Sequence, residues 1–549
     1  MMTAIDYTIV GVIVAFIFAG GISFYKWIGN PEDMQVAGRA VPPFILAATM
    51  AATNICLYNF VGYAGTAYKY GISIIWHEWT GMMALVFSGL FVLPLYRRLR
   101  ISTIPEYLEA RYHKSFRSLI AFLWVFRLAA WMGVILYAAV VVMQNLTGVT
   151  TYSLWIIILA LLAVIYTFMG GQWAVVMTNT FQFFILLLAG LLMLPLALHA
   201  VGWLPGLIDK LPAFNMTLVP QKGPFNWLFI IAIWFCGMQW ATTDQGLLQS
   251  ALGAKDVKSV VKGLVYAGII MTPIAYITVA PGLAASILHP GLSNPDAAMP
   301  SLMLSLLPVG LLGLVLAGLL ASQMSTISAN LNACATLFTN DLYRNLLKRE
   351  PSPRATVHIQ RIIIAIAGVF MIAFSFAVPK LGGAVSAYLT VIGIMDMPLF
   401  IVGIVYGLLW KRATWQGAIW GYLGGAIAGA IAKFQLGYPF GVSALFSAAG
   451  ALVIAFIVSL LTPPTPSLKI ERIWALRAAG REEEKTKEVY HIIPISTGGR
   501  MSLLIFGIGL VMFLVGTFMG SGGLKLASSV AVTGMLVYFL GGFLRLLFD

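Results

Sequence analysis

The segment Pro42–Tyr70 constrains the fold most, because it is apolar enough to cross a bilayer yet carries polar residues at its middle. Thr53, Asn54 and Asn59 lie near its centre, followed by Gly62. A continuous helix in lipid gains nothing from two asparagines at mid-depth, whereas a protein interior or a watery cavity tolerates them. We therefore predict that this crossing is interrupted, which frees backbone carbonyls to hold an ion or a solute near the midplane.

The rest of the 549-residue chain is also apolar, with 60% hydrophobic and 9% charged residues, against roughly 25% charged in soluble proteins. We predict an all-α polytopic membrane protein with fifteen crossings. They lie at about 5–28, 42–70, 72–93, 119–145, 152–170, 172–202, 225–250, 263–288, 299–340, 359–378, 383–410, 414–434, 441–462, 501–520 and 526–547. The first lacks a basic leader and a cleavage site, so we expect it to be retained. The three cysteines fall inside apolar spans and predict neither disulfides nor a zinc site.

The net charge of +14 is distributed unevenly between the two sets of loops. Loops after odd-numbered crossings contain 23 Lys and Arg residues, and the opposite loops contain five. The basic loops are 29–41, 94–118, 251–262, 341–358, 411–413 and 463–500. This asymmetry predicts a multi-pass protein of the plasma (cell inner) membrane, with the N-terminus outside and the C-terminus cytoplasmic. Charges spread over six loops do not form a nucleic-acid groove, and no obligate protein partner beyond the lipid bilayer is indicated.

Two of the basic loops have features of their own. In the segment 97–117, Pro105 followed by Tyr107 and Tyr112 predicts a short interfacial helix. The loop 463–500 is predicted to be a solvated connector with one helix over Ile473–Arg481.

A second crossing, 225–250, also has polar residues and glycine where a helix in lipid needs neither. Gly237, Gln239 and Asp244 crowd its cytoplasmic half. Because it is the seventh crossing and Pro42–Tyr70 is the second, the two run in opposite directions. Paired broken crossings in inverted halves indicate a transporter binding site. The alternative is a glycine kink in each helix. The opposite directions of the two crossings favour the inverted repeat.

Three hydroxyl residues in the ninth crossing, Ser322, Ser325 and Thr326, share one helix face. Such residues often provide close packing between membrane helices or bond to their own carbonyls. The functional interpretation is an oxygen cage built with freed carbonyls. Neutral oxygens suit a releasable monovalent cation, whereas carboxylates suit a divalent one.

Six segments resemble the sodium/solute symporter family, which includes the sodium–glucose cotransporters. They are VAGRAVPPF (36–44), ISTIPEYLEARY (101–112), GGQWAVVMTNTFQ (170–182), TDQGLLQSALGAK (243–255), the hydroxyl-rich ninth crossing with FTNDLY (338–343), and GLLWKRATWQGA (407–418). The resemblance implies a five-plus-five inverted-repeat fold with about 14–15 transmembrane helices. It divides the chain into a leading helix and loop (1–41), a first repeat (42–202), a second repeat (225–412) and C-terminal helices (413–549).

The resemblance also implies Na+ as the coupling ion. By position, its ligands are the backbone oxygens of Ala52, Ile55 and Ser322 with the hydroxyls of Ser325 and Thr326. Many members have Asp where this chain has Asn179, and a second ion would need a hydroxyl at Ala329. We therefore predict one sodium per transport cycle.

For the solute, the resemblance implies a pocket formed by Asn59, Tyr63, His77, Glu78, Trp240 and Thr390. The sequence WHEW (76–79) resembles the sugar-transporting branch, in which the Glu accepts hydrogen bonds from hydroxyls. An unpaired ionised Glu at this depth is costly, which favours a functional role. Packing roles for His77 and Trp240, and a structural partner for Glu78, are the alternatives. Met271 and Thr390 stand where a glucose carrier has a Lys and a Gln.

Arg127 lies about ten residues into the fourth crossing and needs a partner at that depth. The candidates are Glu78, Asp244, Asp396 or a carboxylate of the solute.

From these observations we predict a sodium-coupled secondary active symporter, not an enzyme, that takes up a sugar or polyol by alternating access. No nucleophile–base constellation is present in the sequence. The first alternative is a sodium symporter for a carboxylate or sugar acid that uses Arg127. The others are a proton-coupled carrier titrating Asp244 or Asp396 and a transporter-like sensor. A sensor would usually append a cytoplasmic signalling module, and 463–500 is too short for one.

Overall fold

The computed structural model describes residues 2–23, 31–347, 352–478 and 490–548. Within these ranges the backbone is helical apart from connecting turns and one isolated β-bridge between Val41 and Ala254. Nine of the described helices are long and apolar enough to cross a membrane, or eleven if each of two bent pairs is one span. The predicted all-α polytopic fold is confirmed.

The principal helices, numbered in chain order, are as follows. They are α1 (Ala4–Ser23), α2 (Pro43–Asn54), α3 (Asn59–Tyr70), α4 (Ile72–Phe91), α5 (Leu93–Leu99), α6 (Ile104–Arg111), α7 (Lys114–Thr147), α8 (Tyr152–Val201), α9 (Trp227–Thr243), α10 (Gln245–Leu252), α11 (Val257–Leu288), α12 (Leu311–Tyr343), α13 (Pro353–Ser375), α14 (Ala384–Leu409), α15 (Trp415–Ala430), α16 (Phe440–Leu461), α17 (Ser467–Ala478), α18 (Thr497–Met519) and α19 (Ala527–Phe548).

The first predicted interruption separates α2 from α3, whose axes are bent by 55°. Ile55 leaves the helical conformation, with φ −86° and ψ 108°. Asn59 stabilises the break, because its side-chain oxygen accepts a hydrogen bond from the Cys56 backbone N–H at 2.8 Å. The carbonyls of the last turn of α2 therefore have no partner in a continuing helix.

The second predicted interruption is a single residue, Asp244, between α9 and α10. Its backbone is extended, with φ −75° and ψ 113°. Its carboxylate accepts a hydrogen bond from the Leu247 N–H at 3.0 Å and so caps α10. The sequence prediction of two broken crossings is confirmed.

Helix α12 lies at the centre of the bundle, because 89% of the residues in its most apolar 18-residue stretch are buried within the protein. The hydroxyl residues of this helix consequently face neighbouring helices rather than lipid. Close backbone packing occurs nearby: a Cβ added to Gly282 of α11 would lie 2.0 Å from the carbonyl oxygen of Ala64 in α3.

Two boundaries differ from the sequence prediction. Helix α8 is helical throughout its 50 residues, so the predicted crossings 152–170 and 172–202 are not separated by a backbone interruption. At 1.5 Å per residue its length along the helix axis is about 75 Å, far longer than one bilayer crossing. The predicted interfacial helix corresponds to α6. The helix expected over Ile473–Arg481 is α17, which begins earlier, at Ser467, and is described as far as Ala478; residues 479–489 lie outside the described residues.

Candidate functional site

The hydroxyl face of α12 contacts the carbonyls freed at the break after α2. Three hydrogen bonds cross between the helices: Ser322 Oγ to Ile55 O at 2.7 Å, Ser325 Oγ to Ala52 O at 3.0 Å and Thr326 Oγ1 to Thr53 O at 2.9 Å. Thr326 Oγ1 also lies 3.2 Å from the Ser322 carbonyl. These contacts bring together the five residues whose oxygens are expected as sodium ligands, with the Ser325 hydroxyl on Ala52 O and the Thr326 hydroxyl on Ser322 O. We call this group the oxygen cage.

The contacts of the oxygen cage distinguish it from ordinary helix packing. Ser328 bonds back to the Ser325 carbonyl of its own helix, the usual behaviour of a membrane serine. Ser322 and Ser325 instead reach across to α2. Both are fully buried, so they supply neutral, dry oxygens of the kind that suits a monovalent cation.

A cavity lies beside the cage, between the two broken crossings and α4, α7, α12 and α14. Its described lining is Thr53, Asn54, Tyr58, Asn59, Tyr63, His77, Glu78, Gly81, Met82, Arg127, Trp131, Ile233, Cys236, Gly237, Trp240, Asp244, Leu247, Asn330, Tyr388, Ile392 and Asp396. We call it the central cavity. About 50 Å³ of it is open to the centres of water molecules, where one water needs roughly 10–15 Å³. The accessible space therefore holds only a few water molecules.

Glu78 is held at the edge of the central cavity by the two asparagines that flank the break. Its carboxylate accepts hydrogen bonds from Asn54 Nδ2 at 3.0 Å and from Asn59 Nδ2. Since both partners are amide donors, the carboxylate acts purely as an acceptor, as an ionised carboxylate does. Asn54 is not among the residues predicted to bind solute, although its place in the interrupted crossing is a sequence signal for it.

His77 is oriented by Tyr63, whose hydroxyl is hydrogen-bonded to His77 Nδ1. The other ring nitrogen, Nε2, is buried and makes no hydrogen bond to the described residues. Because His77 lines the central cavity, this nitrogen remains available to a solute hydroxyl.

Three aromatic rings form a layer on the same side of the cavity as Tyr63. Tyr58 lies 5.0 Å from Trp131 and 5.4 Å from Tyr388 between ring centroids, and Trp131 lies 4.5 Å from Tyr388. Along α14, Tyr388 precedes the cavity residues Ile392 and Asp396 by one and two turns. These rings were not predicted; the four-residue spacing on α14 is the signal that marks one face.

Arg127 closes the opposite end of the central cavity with two aspartates. Its Nε and Nη2 bind Asp396 Oδ1 and Oδ2 at 3.1 and 2.5 Å, and its Nη1 binds Asp244 Oδ2 at 2.5 Å. Arg127 is 2% exposed and Asp396 1%. Of the alternatives left open by the sequence, the structure supplies two protein carboxylates; a solute carboxylate is not needed to pair this arginine.

Thr390 is the one predicted pocket residue that the described cavity lining does not include. Its hydroxyl bonds to the Ser386 carbonyl one turn earlier at 2.8 Å. The neighbouring positions Tyr388 and Ile392 line the cavity instead. In this structure the Thr390 hydroxyl is therefore turned toward its own helix, and its role in solute binding stays a prediction.

A larger cavity of about 610 Å³ lies beyond the aromatic layer. Its lining includes Lys69, Asp296 and Ser386, and it draws on loops that follow even-numbered crossings, the face opposite the basic loops. Asp296 accepts a hydrogen bond from the Ala384 N–H, at the start of α14, at 3.3 Å. Burial raises the pKa of Asp296 to about 6, against the opposing effect of the hydrogen bonds from Ala384 and Tyr137.

Comparison with known proteins gives consistent results. The chain is 28% identical over 505 residues to a sodium/glucose cotransporter of Vibrio parahaemolyticus, covering 84% of this chain and 91% of the relative. It is 27% identical over 467 residues to sodium/myo-inositol cotransporter 2 of Oryctolagus cuniculus, covering 76% and 68%. The fold is similar to that of a Na+-coupled sialic acid symporter in its substrate-bound outward-open state, with a TM-score of 0.76, 22% identity and coverage of 84% and 99%.

The family model of the sodium:solute symporter family matches residues 35–425, well over half of the chain. The protein is therefore a multi-pass membrane transporter rather than an enzyme, its fold is that of the inverted-repeat transporters, and its coupling ion is Na+. The chain belongs to the sodium:solute symporter family.

Proposed function

We propose that the protein takes up a sugar or polyol together with one sodium ion by alternating access. The observation that carries this proposal is that one helix break serves two sites. Residues before the break, Ala52 and Thr53, present carbonyls to α12, while Asn54 and Asn59 on its two sides hold Glu78 in the central cavity.

The shared break provides the coupling between ion and solute. A cation among the oxygens of Ala52, Ile55 and Ser325 would fix α2 against α12 and thereby fix Asn54. A solute bound to Glu78 and Asn59 fixes the same break from the other side. Each ligand then strengthens the binding of the other by the same factor, as linkage requires.

The polar groups of the central cavity suit a solute with several hydroxyls. Glu78 accepts hydrogen bonds, Asn59 both donates and accepts, and His77 presents a free ring nitrogen. The rings of Trp131 and Tyr388 offer apolar faces for a sugar ring. Relatives whose names state glucose and myo-inositol support this class of solute.

In this proposal the repeats span 42–202 and 225–412, and the basic face lies in the cytoplasm of a cell whose plasma membrane holds the protein. The N-terminus is then outside and the C-terminus inside. The 610 Å³ cavity is the outer vestibule, and the aromatic layer separates it from the central cavity. The cluster of Arg127, Asp244 and Asp396 closes the inner side.

Uptake into proteoliposomes tests the proposal. A thermal-shift screen of sugars and polyols, with and without sodium, first selects a solute; radiolabelled uptake is then compared in inward sodium and choline gradients at fixed pH. We expect uptake in sodium and none in choline. Uptake that persists in choline and follows a proton gradient would overturn the proposal in favour of proton coupling. Sodium-dependent solute binding without transport would indicate a sensor.

A further inference from the structure

We propose that the central cavity rejects solutes that carry a carboxylate or a phosphate, and that it accepts uncharged polyhydroxyl compounds and their amino derivatives. This inference rests on the proposed function and names the charge class of its solute. It follows from the way the cavity's own charges are paired.

The cationic group at the cavity, Arg127, is already paired with protein carboxylates. Among the described residues that line the cavity it is the only arginine or lysine. Each of its three guanidinium nitrogens already donates to a protein carboxylate, two to Asp396 in a bidentate pair and one to Asp244. A carboxylate on the solute would have to compete for this arginine with two aspartates that the fold holds in place.

The three carboxylates at the cavity are all in acceptor geometry. Both carboxylate oxygens of Asp396 accept hydrogen bonds from Arg127. One oxygen of Asp244 accepts a hydrogen bond from Arg127, and the other accepts one from the Leu247 N–H. The two oxygens of Glu78 accept hydrogen bonds from the side-chain amides of Asn54 and Asn59. In each of these hydrogen bonds the carboxylate oxygen accepts and the partner donates, which is the pattern of three ionised carboxylates.

The charges of the cavity therefore do not balance. Three carboxylates, those of Glu78, Asp244 and Asp396, oppose one guanidinium, and one sodium ion in the oxygen cage still leaves an excess of negative charge. The histidine at the cavity does not restore the balance, because the described partner of its Nδ1 is the Tyr63 phenol rather than a carboxylate.

An anionic solute would meet this excess charge in a site that excludes bulk water. At an effective dielectric constant of about 20, one uncompensated charge several ångströms away weakens binding by about 30-fold, or roughly 2 kcal/mol at 1.4 kcal/mol per factor of ten. A neutral sugar does not experience this repulsion, and an ammonium group would be attracted.

Matched solutes that differ in one group provide the test: glucose, glucosamine and glucuronate, with galactose, galactosamine and galacturonate as a second set. Each competes for sodium-driven uptake of the best neutral solute in proteoliposomes containing the full-length protein. Within a set that binds, we expect the amino derivative to compete at least as well as the parent sugar. We expect the uronate to be weaker by about 30-fold or more. A uronate that competes as well as its parent sugar overturns the inference.

The variant Asp396→Asn tests whether the carboxylates cause the discrimination. The amide keeps the shape of the side chain and removes one negative charge, while Arg127 retains Asp244. We expect the ratio of uronate to neutral inhibition constants to narrow by on the order of tenfold. The matched control is Asp256→Asn, which makes the same chemical change at the cap of α11, outside the described cavity lining; its ratio should equal that of the wild type.

These outcomes separate the two proposals. If no neutral sugar or polyol is taken up with sodium, the proposed function fails and this inference fails with it. If neutral sugars are taken up and uronates compete equally, the proposed function stands and only the charge selection is wrong. The wild-type comparison alone decides this, so it does not depend on the folding of Asp396→Asn.

Discussion

The buried cluster of Arg127, Asp244 and Asp396 gives the sharpest prediction about stability. Replacing Arg127 with Met leaves two carboxylates buried without their cation, since Asp244 is 3% and Asp396 1% exposed. Removing one partner of a buried ion pair costs about 3–5 kcal/mol, because the remaining charge is uncompensated. We therefore expect Arg127→Met to be strongly destabilised.

Neutralising the whole cluster should restore most of that loss. In the triple variant Arg127→Met/Asp244→Asn/Asp396→Asn no charge remains unpaired, and replacement of a complete buried cluster is often neutral. Asn at position 244 can still accept the Leu247 N–H and cap α10. We expect the triple variant to lie within about 2 kcal/mol of the wild type.

The measurement is unfolding followed by tryptophan fluorescence in detergent, with the two aspartate variants completing the thermodynamic cycle. Arg472→Met, at an exposed position of α17, is the control for loss of an arginine and should change stability by less than about 0.5 kcal/mol. A triple variant that is as unstable as Arg127→Met would refute the reasoning. A single variant as stable as the wild type would do the same.

Three further predictions concern separate parts of the molecule. Glu78→Gln removes the acceptor charge that faces the cavity and should raise the KM for solute by tenfold or more, with sodium half-saturation in binding assays changed far less. Gly282→Ala should abolish a monodisperse peak in size-exclusion chromatography, because its Cβ would lie 2.0 Å from Ala64 O, whereas Gly11→Ala, with nothing within 4 Å, should behave as wild type. The raised pKa of Asp296 makes its contribution to stability fully present below the unfolded value of 3.8 and lost as pH rises through about 6; the fall in unfolding midpoint between pH 5 and 7 should therefore be smaller in Asp296→Asn.

The elements that the sequence predicts well are those whose signal is local. Polar residues inside an apolar crossing marked both breaks, because lipid does not tolerate them in a continuous helix. The spacing of Ser322, Ser325 and Thr326 placed them on one face of α12, and the structure places that face against α2. The helix bounds at α8 and α17 were predicted less well, since apolar composition does not mark where a helical backbone stops.

The contacts that depend on tertiary structure were left open by the sequence. Three protein carboxylates were candidates to pair Arg127, and the fold brings two of them to it from α9–α10 and α14. The pairing of Tyr63 with His77 joins α3 to α4, a tertiary contact that no local sequence pattern marks. Which residues of α14 line the cavity depends on the rotation of the helix about its axis, which packing sets; Tyr388 and Ile392 line it, whereas Thr390 bonds to the Ser386 carbonyl.

The most direct test of the account is the sodium dependence of solute uptake in Ser325→Ala compared with Ser328→Ala. Both substitutions remove one buried hydroxyl from α12, but Ser325 reaches the broken helix and Ser328 bonds to its own helix. If the oxygen cage binds sodium, Ser325→Ala raises the sodium concentration for half-saturation by on the order of 10- to 30-fold, since losing a ligand to a charged group costs roughly 1.5–2 kcal/mol. Ser328→Ala leaves this concentration unchanged. Equal sodium half-saturation in both variants and the wild type would contradict the account.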